Sequence, residues 1–336
     1  MAAEAAGHPQ PRKRLATAIV AVLLAPLLAI ALLYAFRVPG LDPITVWPFS
    51  LWAGLFMTLG IVLAPLLGPK RGLLVVAMPL LAALLVCEEP RFMLKPPADA
   101  APVEAAAQRG ELLRVISLNC GGGNTLAVKE AFALDPDVIL LQESPGTAIL
   151  SGILPEGWQQ VGGGDCWVLV RGEVTSTEHS RDLANRMHVA LATPSRLVPP
   201  RPIAIISAHV VHPSLRPEIW RSSVWREAEA IRRARATSVE TMLREGDRYG
   251  ADLPVILGGD FNTGDHDSLL RPLEQAGFTD AFASTGSGCP NTIVSDFPLE
   301  RIDYVWADEQ FRPLSARIVF TPHSDHRMVV AELAVS

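Results

Sequence analysis

The chain opens on long apolar runs and closes on short ones. Leu15 to Phe36 is 22 residues without a charge, Phe49 to Gly68 is another 20, and Gly72 to Cys87 is a third of 16 containing Pro79. At 1.5 Å per residue the first two are long enough to cross a hydrocarbon core of about 30 Å, and the third is marginal. The first run exceeds the usual apolar stretch of a signal peptide and has no small-residue cleavage site before the next run, so retention is expected. Glu88 to Gly110, rich in Pro and Ala, predicts a linker.

From Leu112 the pattern changes to short apolar segments closed by polar or glycine-rich ones. Leu113–Leu118, Val138–Leu141, Trp167–Val170, Ile203–Ala208, Val255–Leu257, Tyr304–Trp306 and Val329–Leu333 predict strands. Apolar residues at helical spacing from near Pro217 through Trp220, Val224, Ala228 and Ile231 to Leu243 predict one long helix. Strands interleaved with helices make residues 111–336 an α/β domain. The expected organisation is therefore a basic tail at 1–14, three spans at 15–36, 49–68 and 72–87, a linker at 88–110, and this domain.

Charge sets the sidedness. Arg12, Lys13 and Arg14 precede the first span and Lys70 and Arg71 separate the second from the third. By the positive-inside rule both lie in the cytoplasm, which puts a domain following three spans outside it. If the 16-residue run only dips into the bilayer, the side reverses. Nine basic and six acidic side chains lie in 1–110, leaving 20 and 29 in 111–336, a net of −9. The broad basic footprint of a non-specific nucleic-acid binder is absent. Cys87, Cys120, Cys166 and Cys289 form no close pair and no zinc spacing, although an outer location permits one disulfide among the last three.

Polar residues fall at the strand ends. Asn119 follows the first strand, Glu143 the second, His209 the one at 203–208, and Asp260 and Asn262 the one at 255–257. Asp303 opens a strand, and Asp325 and His326 precede the last. Hydrolysis of a phosphate ester needs its charge neutralised, a water activated and a departing oxygen stabilised. Glu143, Asp325 and the amide oxygen of Asn119 are hard oxygen ligands suited to Mg²⁺ or Mn²⁺. His326 titrates near neutrality and gains a fixed tautomer if Asp303 holds it. Asp260 can orient the water, while Asn262 and His209 can donate to phosphate oxygens.

The local strings sharpen this. Ser117-Leu118-Asn119, Leu141-Gln142-Glu143, Ser207-Ala208-His209, Gly258-Gly259-Asp260-Phe261-Asn262, Arg301-Ile302-Asp303-Tyr304 and Ser324-Asp325-His326, in this order, resemble the endonuclease/exonuclease/phosphatase superfamily over about residues 112–335. The resemblance implies a deoxyribonuclease-like, two-sheet, four-layer α/β sandwich. It implies Glu143 as principal metal ligand beside Asn119 and Asp325, Asp303 and His326 as an acid and histidine pair, and Asp260 and Asn262 as the groups placing nucleophile and phosphate. His209 matches the second histidine of the deoxyribonuclease and sphingomyelinase branches. The sequence departs from the family pattern at Gly121, two positions after Asn119, where many members carry a polar residue, and at Met328, where proline is frequent. A membrane-anchored, metal-dependent phosphoesterase is expected, a nuclease first and a lipid or inositol-phosphate hydrolase second. A non-catalytic membrane protein retaining the fold is the distant alternative. The expected partners are the membrane and a phosphate-ester substrate, nucleic acid or lipid headgroup, with no protein partner.

Overall fold

The computed structural model describes residues 11–177 and 186–336, so residues 1–10 of the expected basic tail lie outside the described ones. The chain divides into two compact units, residues 1–87 and 88–336.

In the first unit three helices, Pro11–Ala35, Phe49–Leu67 and Pro69–Val86, are long and apolar enough to cross a membrane. Pro79 does not interrupt the third, which begins three residues before the expected run and reaches about 27 Å at 1.5 Å per residue. Leu27, Ala31 and Tyr34 of the first helix pack with Phe49 and Ala53 of the second. The connection between them is tied down by polar bonds: the Tyr34 hydroxyl donates to the carbonyls of Ile44 and Trp47, and Trp52 Nε1 donates to Ile44 O.

The second unit is a mixed α/β domain with a large sheet. Its strands are β1 (Leu112–Asn119), β2 (Val138–Gln142), β3 (Trp158–Gly163), β4 (Cys166–Ser176), β5 (Met187–Pro194), β6 (Ile203–His209), β7 (Val255–Asp260), β8 (Thr279–Asp280), β9 (Asp303–Ala307), β10 (Phe311–Val319) and β11 (Met328–Val335). Among the described residues they form one hydrogen-bonded path, β10-β11-β1-β2-β4-β5-β6-β7-β9-β8, with β3 on the side of β4. In place of the two separate sheets expected from the resemblance the path is continuous, carried across by β4, which is eleven residues long. It gives Trp167–Val170 to β2 and Gly172–Ser176 to β5. Gly172 marks the change, at φ +137°, where a Cβ would stand 2.4 Å from the Thr193 carbonyl.

One apolar cluster draws on strands from both halves of the path, with Val115, Leu140 and Val168 from one and Ile205, Ile256 and Val305 from the other. Strands β1 and β7 are therefore buried along almost their whole length, as strands covered on both faces are. Separate clusters lie under the helix Thr125–Ala133 and under the helix Ser222–Gly250. The latter starts five residues later than expected, because Pro217–Arg221 form turns instead, and runs seven residues past Leu243.

The segment expected as a linker is folded onto this domain. Phe92, in the helix Glu89–Met93, is buried against Phe282 with ring centroids 5.0 Å apart, and Ala106, in the helix Ala101–Gln108, is buried beside Leu112 and Leu314. Both Glu88 carboxylate oxygens accept bonds of 3.0 Å from Arg301. Pro and Ala at 96–107 gave no periodicity from which this docking could be read, whereas Phe92 alone supplies the anchor. No disulfide joins any two of the cysteines among the described residues. Cys120 and Cys166 are buried, and burial pushes both thiols well above their ordinary range.

Candidate active site

Four parallel-strand ends meet at one edge. Asn119 of β1 is in register with Gln142 of β2, and His209 of β6 with Asp260 of β7. The two halves are tied across the domain by hydrogen bonds: Gln142 Nε2 donates to Ser207 Oγ at 3.2 Å, and Asn119 Nδ2 to Asp260 Oδ2 at 3.0 Å. Strand β9 begins at this edge because Asp303 is in register with Asp260. The turn before β11 reaches it through the Ser324 hydroxyl, which donates to Asn119 O at 2.7 Å and accepts from His326 N at 3.0 Å.

The centre is a buried group of two carboxylates and an imidazole. Asp260, Asp303 and His326 each offer an atom within 4.8 Å of the other two. His326 Nδ1 bonds Asp303 Oδ2 at 2.9 Å, leaving Nε2 toward Asp260 Oδ2 at 3.9 Å. His209 approaches the same oxygen, with Nε2 at 3.5 Å, and its Nδ1 is held by Asp165 at 2.5 Å. Glu143 receives 3.2 Å from Asn119 Nδ2 and 2.8 Å from the Gly122 N–H. The Asp325 carboxylate lies by Gly121, where a Cβ would stand 3.1 Å from its Oδ1 and φ is +56°. The glycine turn thus gives Glu143 a backbone donor at Gly122 and leaves room for the Asp325 carboxylate at Gly121. Glu143 and Asn262 themselves sit in the left-handed region, at φ +46° and +51°. Such strain gathers where side chains are aimed by the surrounding structure.

Two predicted groups are turned differently from the expectation. The Asn119 amide presents its NH₂ to both carboxylates, while the oxygen expected to face a metal accepts the Gly121 N–H at 3.0 Å. The carboxylate crowding beside it favours a donor there. Asn262 Nδ2 donates to Val210 O at 3.1 Å, and its backbone N–H donates to Asp260 Oδ1 at 2.8 Å, so it orients Asp260 directly.

The electrostatics follow from the crowding. Burial opposes charge on His326, but the Asp303 carboxylate and its bond, with Asp260 and Asp325, overcome it and raise the imidazole to about 10. Burial and the neighbouring Asp303 push Asp260 up, against the pull of His326 and His209. Burial likewise opposes charge on His209, and the Asp165 bond reverses it. Asp165 itself is held below the ordinary carboxylate range by that bond.

A sequence model of the endonuclease/exonuclease/phosphatase family matches residues 116–326, well over half of the chain. The chain belongs to the endonuclease/exonuclease/phosphatase family. Members of this family hydrolyse phosphoesters and generally use divalent metals. An endonuclease/exonuclease/phosphatase from Bacteroides vulgatus is similar in fold, at 15% identity and TM-score 0.53, over 67% of this chain and 99% of that one. The human Nocturnin catalytic domain, with bound sulfate anion, is similar at 18% and 0.50 over 67% and 95%. A functionally unknown conserved protein from Enterococcus faecalis is similar at 16% and 0.51 over 67% and 100%. No curated protein matches this chain.

The family positions account for the centre but not for what supports it. Asp165 holds His209, Ser324 ties the last turn to β1, and the Thr292 hydroxyl accepts the N–H groups of Ile302 and Asp303 at 3.0 and 3.2 Å. Asp165 lies in the turn between β3 and β4, and the adjoining Gly162–Gly164 was the only local signal for it. His212, His266 and His323 contact Pro213, Glu300 and Glu130 respectively, and His188 lies inside the domain against Ser176.

Proposed function

We propose that this chain is a membrane-anchored phosphodiesterase that uses a divalent cation at this edge. The observation that carries the reading is the convergence of Asp260, Asp303 and His326 beside Asn119 and Glu143, at the ends of strands from both halves of the path. The two halves then serve as the facing sheets of the expected sandwich, a reading supported by the Asn119–Asp260 and Gln142–Ser207 bonds.

The donor set suits a hard cation. Asp303 Oδ1 is buried without a hydrogen-bond partner among the described residues, and Glu143 and Asp325 add carboxylates on either side of the glycine turn. Glu143 and Asp325 are the proposed metal ligands, with Asn119 as a third if its amide turns over. Mg²⁺ or Mn²⁺ bound there supplies charge neutralisation for the phosphate and stabilises the departing oxygen.

The chain's own residues do the rest. Asp260, held by the Asn262 backbone, accepts a hydrogen bond from the attacking water and fixes its approach. His326 has Nδ1 committed to Asp303, so Nε2 is the atom that exchanges a proton at the reacting centre. His209, braced by Asp165, donates to a phosphate oxygen when protonated. Three apolar helices support the anchor, and the basic residues at 12–14 and 70–71 support an extracytoplasmic domain.

Both nucleic acid and lipid headgroups carry the required bond. Nucleic acid was the first expectation, yet the net of −9 over residues 111–336 works against it. The docked 88–110 segment, which removes the reach of a free linker, favours the lipid. The test of the reaction is independent of that choice. The purified full-length protein in detergent should hydrolyse bis(p-nitrophenyl) phosphate with Mg²⁺ or Mn²⁺ and lose this activity in chelator. Glu143→Ala should lose at least a hundredfold with its thermal transition retained. Full turnover in excess chelator overturns the metal reading.

A further inference from the structure

Strands β10 and β11 are joined by residues 320–327, and this loop carries both Asp325 and His326. Asp325 is exposed while His326 is buried against Asp303, so one short loop has to hold two side chains in different settings. On one side it is bonded to residues 292–295: Ser295 N donates to Asp325 O, Ser295 Oγ to Thr321 O and Arg327 N to Thr292 O. On the other it meets β1 and the helix Thr125–Ala133, through two hydroxyls. Ser324 reaches Asn119 O. Thr321, fully buried, donates to Glu130 Oε2, and its oxygen accepts the His323 N–H at 3.2 Å.

Glu130 stands beside the buried face of its helix, which is formed by Ala127, Val128 and Ala131. Leu126, Ala127, Ala133 and Leu134 occupy the positions three and four residues away, so no cation stands there to pair with it. Its carboxylate instead reaches across to the loop, with Oε2 on Thr321 and Oε1 3.6 Å from His323 Nε2. A hydroxyl bonded to a carboxylate makes one of the stronger hydrogen bonds, and the bond fixes where the proton lies. With that proton on Glu130, the Thr321 lone pairs are left for the His323 N–H. The turn so closed leads straight into Ser324, whose Oγ accepts the His326 N–H at 3.0 Å. The helix is also keyed to the other carboxylate. Asn124 caps its first turn, accepting the Leu126 N–H at 3.0 Å, and donates its own N–H to Cys120 O at 3.1 Å. Between those two residues lies the glycine turn whose Gly122 N–H holds Glu143. One nine-residue helix thus meets the Glu143 turn at its start and the Asp325 loop at Glu130.

We propose that Glu130 is a positioning residue: through the Thr321 hydroxyl it sets the seat of Asp325 and His326 relative to Glu143. This rests on the phosphodiesterase reading, in which Asp325 is a metal ligand and His326 exchanges the proton. Groups that orient metal ligands from behind tune both affinity and turnover, although they touch neither metal nor substrate. Loss of the Glu130 contact frees the Thr321 hydroxyl to turn, and the loop then samples positions in which Asp325 no longer faces Glu143 at the spacing one cation requires.

The test uses the full-length protein in detergent with two readouts: free Mn²⁺ followed by electron paramagnetic resonance during a titration, and steady-state hydrolysis of bis(p-nitrophenyl) phosphate. Glu130→Ala and Thr321→Val should each raise the Mn²⁺ concentration for half-occupancy about fivefold and lower kcat at saturating Mn²⁺ about tenfold, with a smaller effect on KM. Glu130→Gln and Thr321→Ser, which keep the acceptor and the hydroxyl, should recover most of both. The double variant Glu130→Ala, Thr321→Val should be no worse than the worse single one, because the two side chains act through one contact. The Glu130 side chain is 39% exposed, so its removal leaves the core intact and the thermal transition close to that of the wild type. A merely structural role would lower that transition and leave the Mn²⁺ affinity of the folded protein unmoved. Mn²⁺ affinity and kcat within about twofold of the wild type in both single variants overturn this inference and leave the phosphodiesterase reading standing. Losses that multiply in the double variant overturn the route through Thr321. A wild type that binds Mn²⁺ without cleaving the ester overturns the phosphodiesterase reading, and the titration alone then decides this one. A wild type that binds no Mn²⁺ overturns both.

Discussion

Asp303 and His326 are 2.9 Å apart and both buried, so each depends on the other for its geometry. His326→Ala and Asp303→Asn should each lower turnover by orders of magnitude, and the double variant should be little worse than the worse single one, because groups acting as a unit are not additive. Losses that multiply in steady-state kinetics would show two separate roles. His188 makes a contrasting residue-scale case. It is buried in β5, with Nε2 3.0 Å from Ser176 Oγ, and burial lowers its imidazole to about 4. Between that value and about 6.5 the unfolded chain binds a proton that the folded chain refuses, so stability rises with pH across this window and falls as pH drops through it. His188→Gln should flatten the pH dependence of the thermal transition between pH 4 and 6.5 by on the order of 2 kcal/mol, and an unchanged slope would mean that the ring is charged inside. The central residues were legible because each closes a strand in a recognisable string. Asp165 was not, since its role depends on a hairpin that brings it to His209, 44 positions further along the chain.

At the scale of elements, the seven strands read from apolar runs are all present, and the four others explain their own silence. Strand β3 reads Trp-Gln-Gln-Val-Gly-Gly, with no alternation to follow. In β5 a buried histidine interrupts the apolar run, and β10 carries Pro313 at an irregular register against β11. Strand β8 is two residues long. On its exposed face the long helix pairs Arg233 with Glu229, whereas the Arg248–Glu245 pair closes over a buried carboxylate. What composition could not convey is that Glu89–Met93 belongs to the domain. Phe92→Ala should destabilise it by about 3–5 kcal/mol, a cost typical of removing a buried aromatic ring, and should lower the melting transition followed by near-ultraviolet circular dichroism. A transition unmoved by this change would return the segment to the status of a linker.

For the whole molecule, the proposed sidedness turns on whether the 18-residue helix Pro69–Val86 crosses a membrane. With basic residues before the first helix and at 70–71, three crossings put Ser336 outside the cytoplasm. An alkaline phosphatase fused after Ser336 should be active, and a fluorescent protein that matures only in the cytoplasm should be dark there; the reverse pattern would mean that the third helix does not cross. The single residue between that helix and the Glu88–Arg301 pair also governs where the polypeptide can be cut. The family match begins at 116 and β1 at Leu112, which makes Leu112 an inviting start for a soluble fragment. Cutting there would leave the Arg301 guanidinium, 1% exposed, with Asp280 alone, and Phe282 without its ring partner. Removing one partner of a buried pair costs about 3–5 kcal/mol and an aromatic ring a similar amount, together comparable to the whole stability of an ordinary domain. A soluble fragment that keeps both contacts therefore has to begin at or before Glu88.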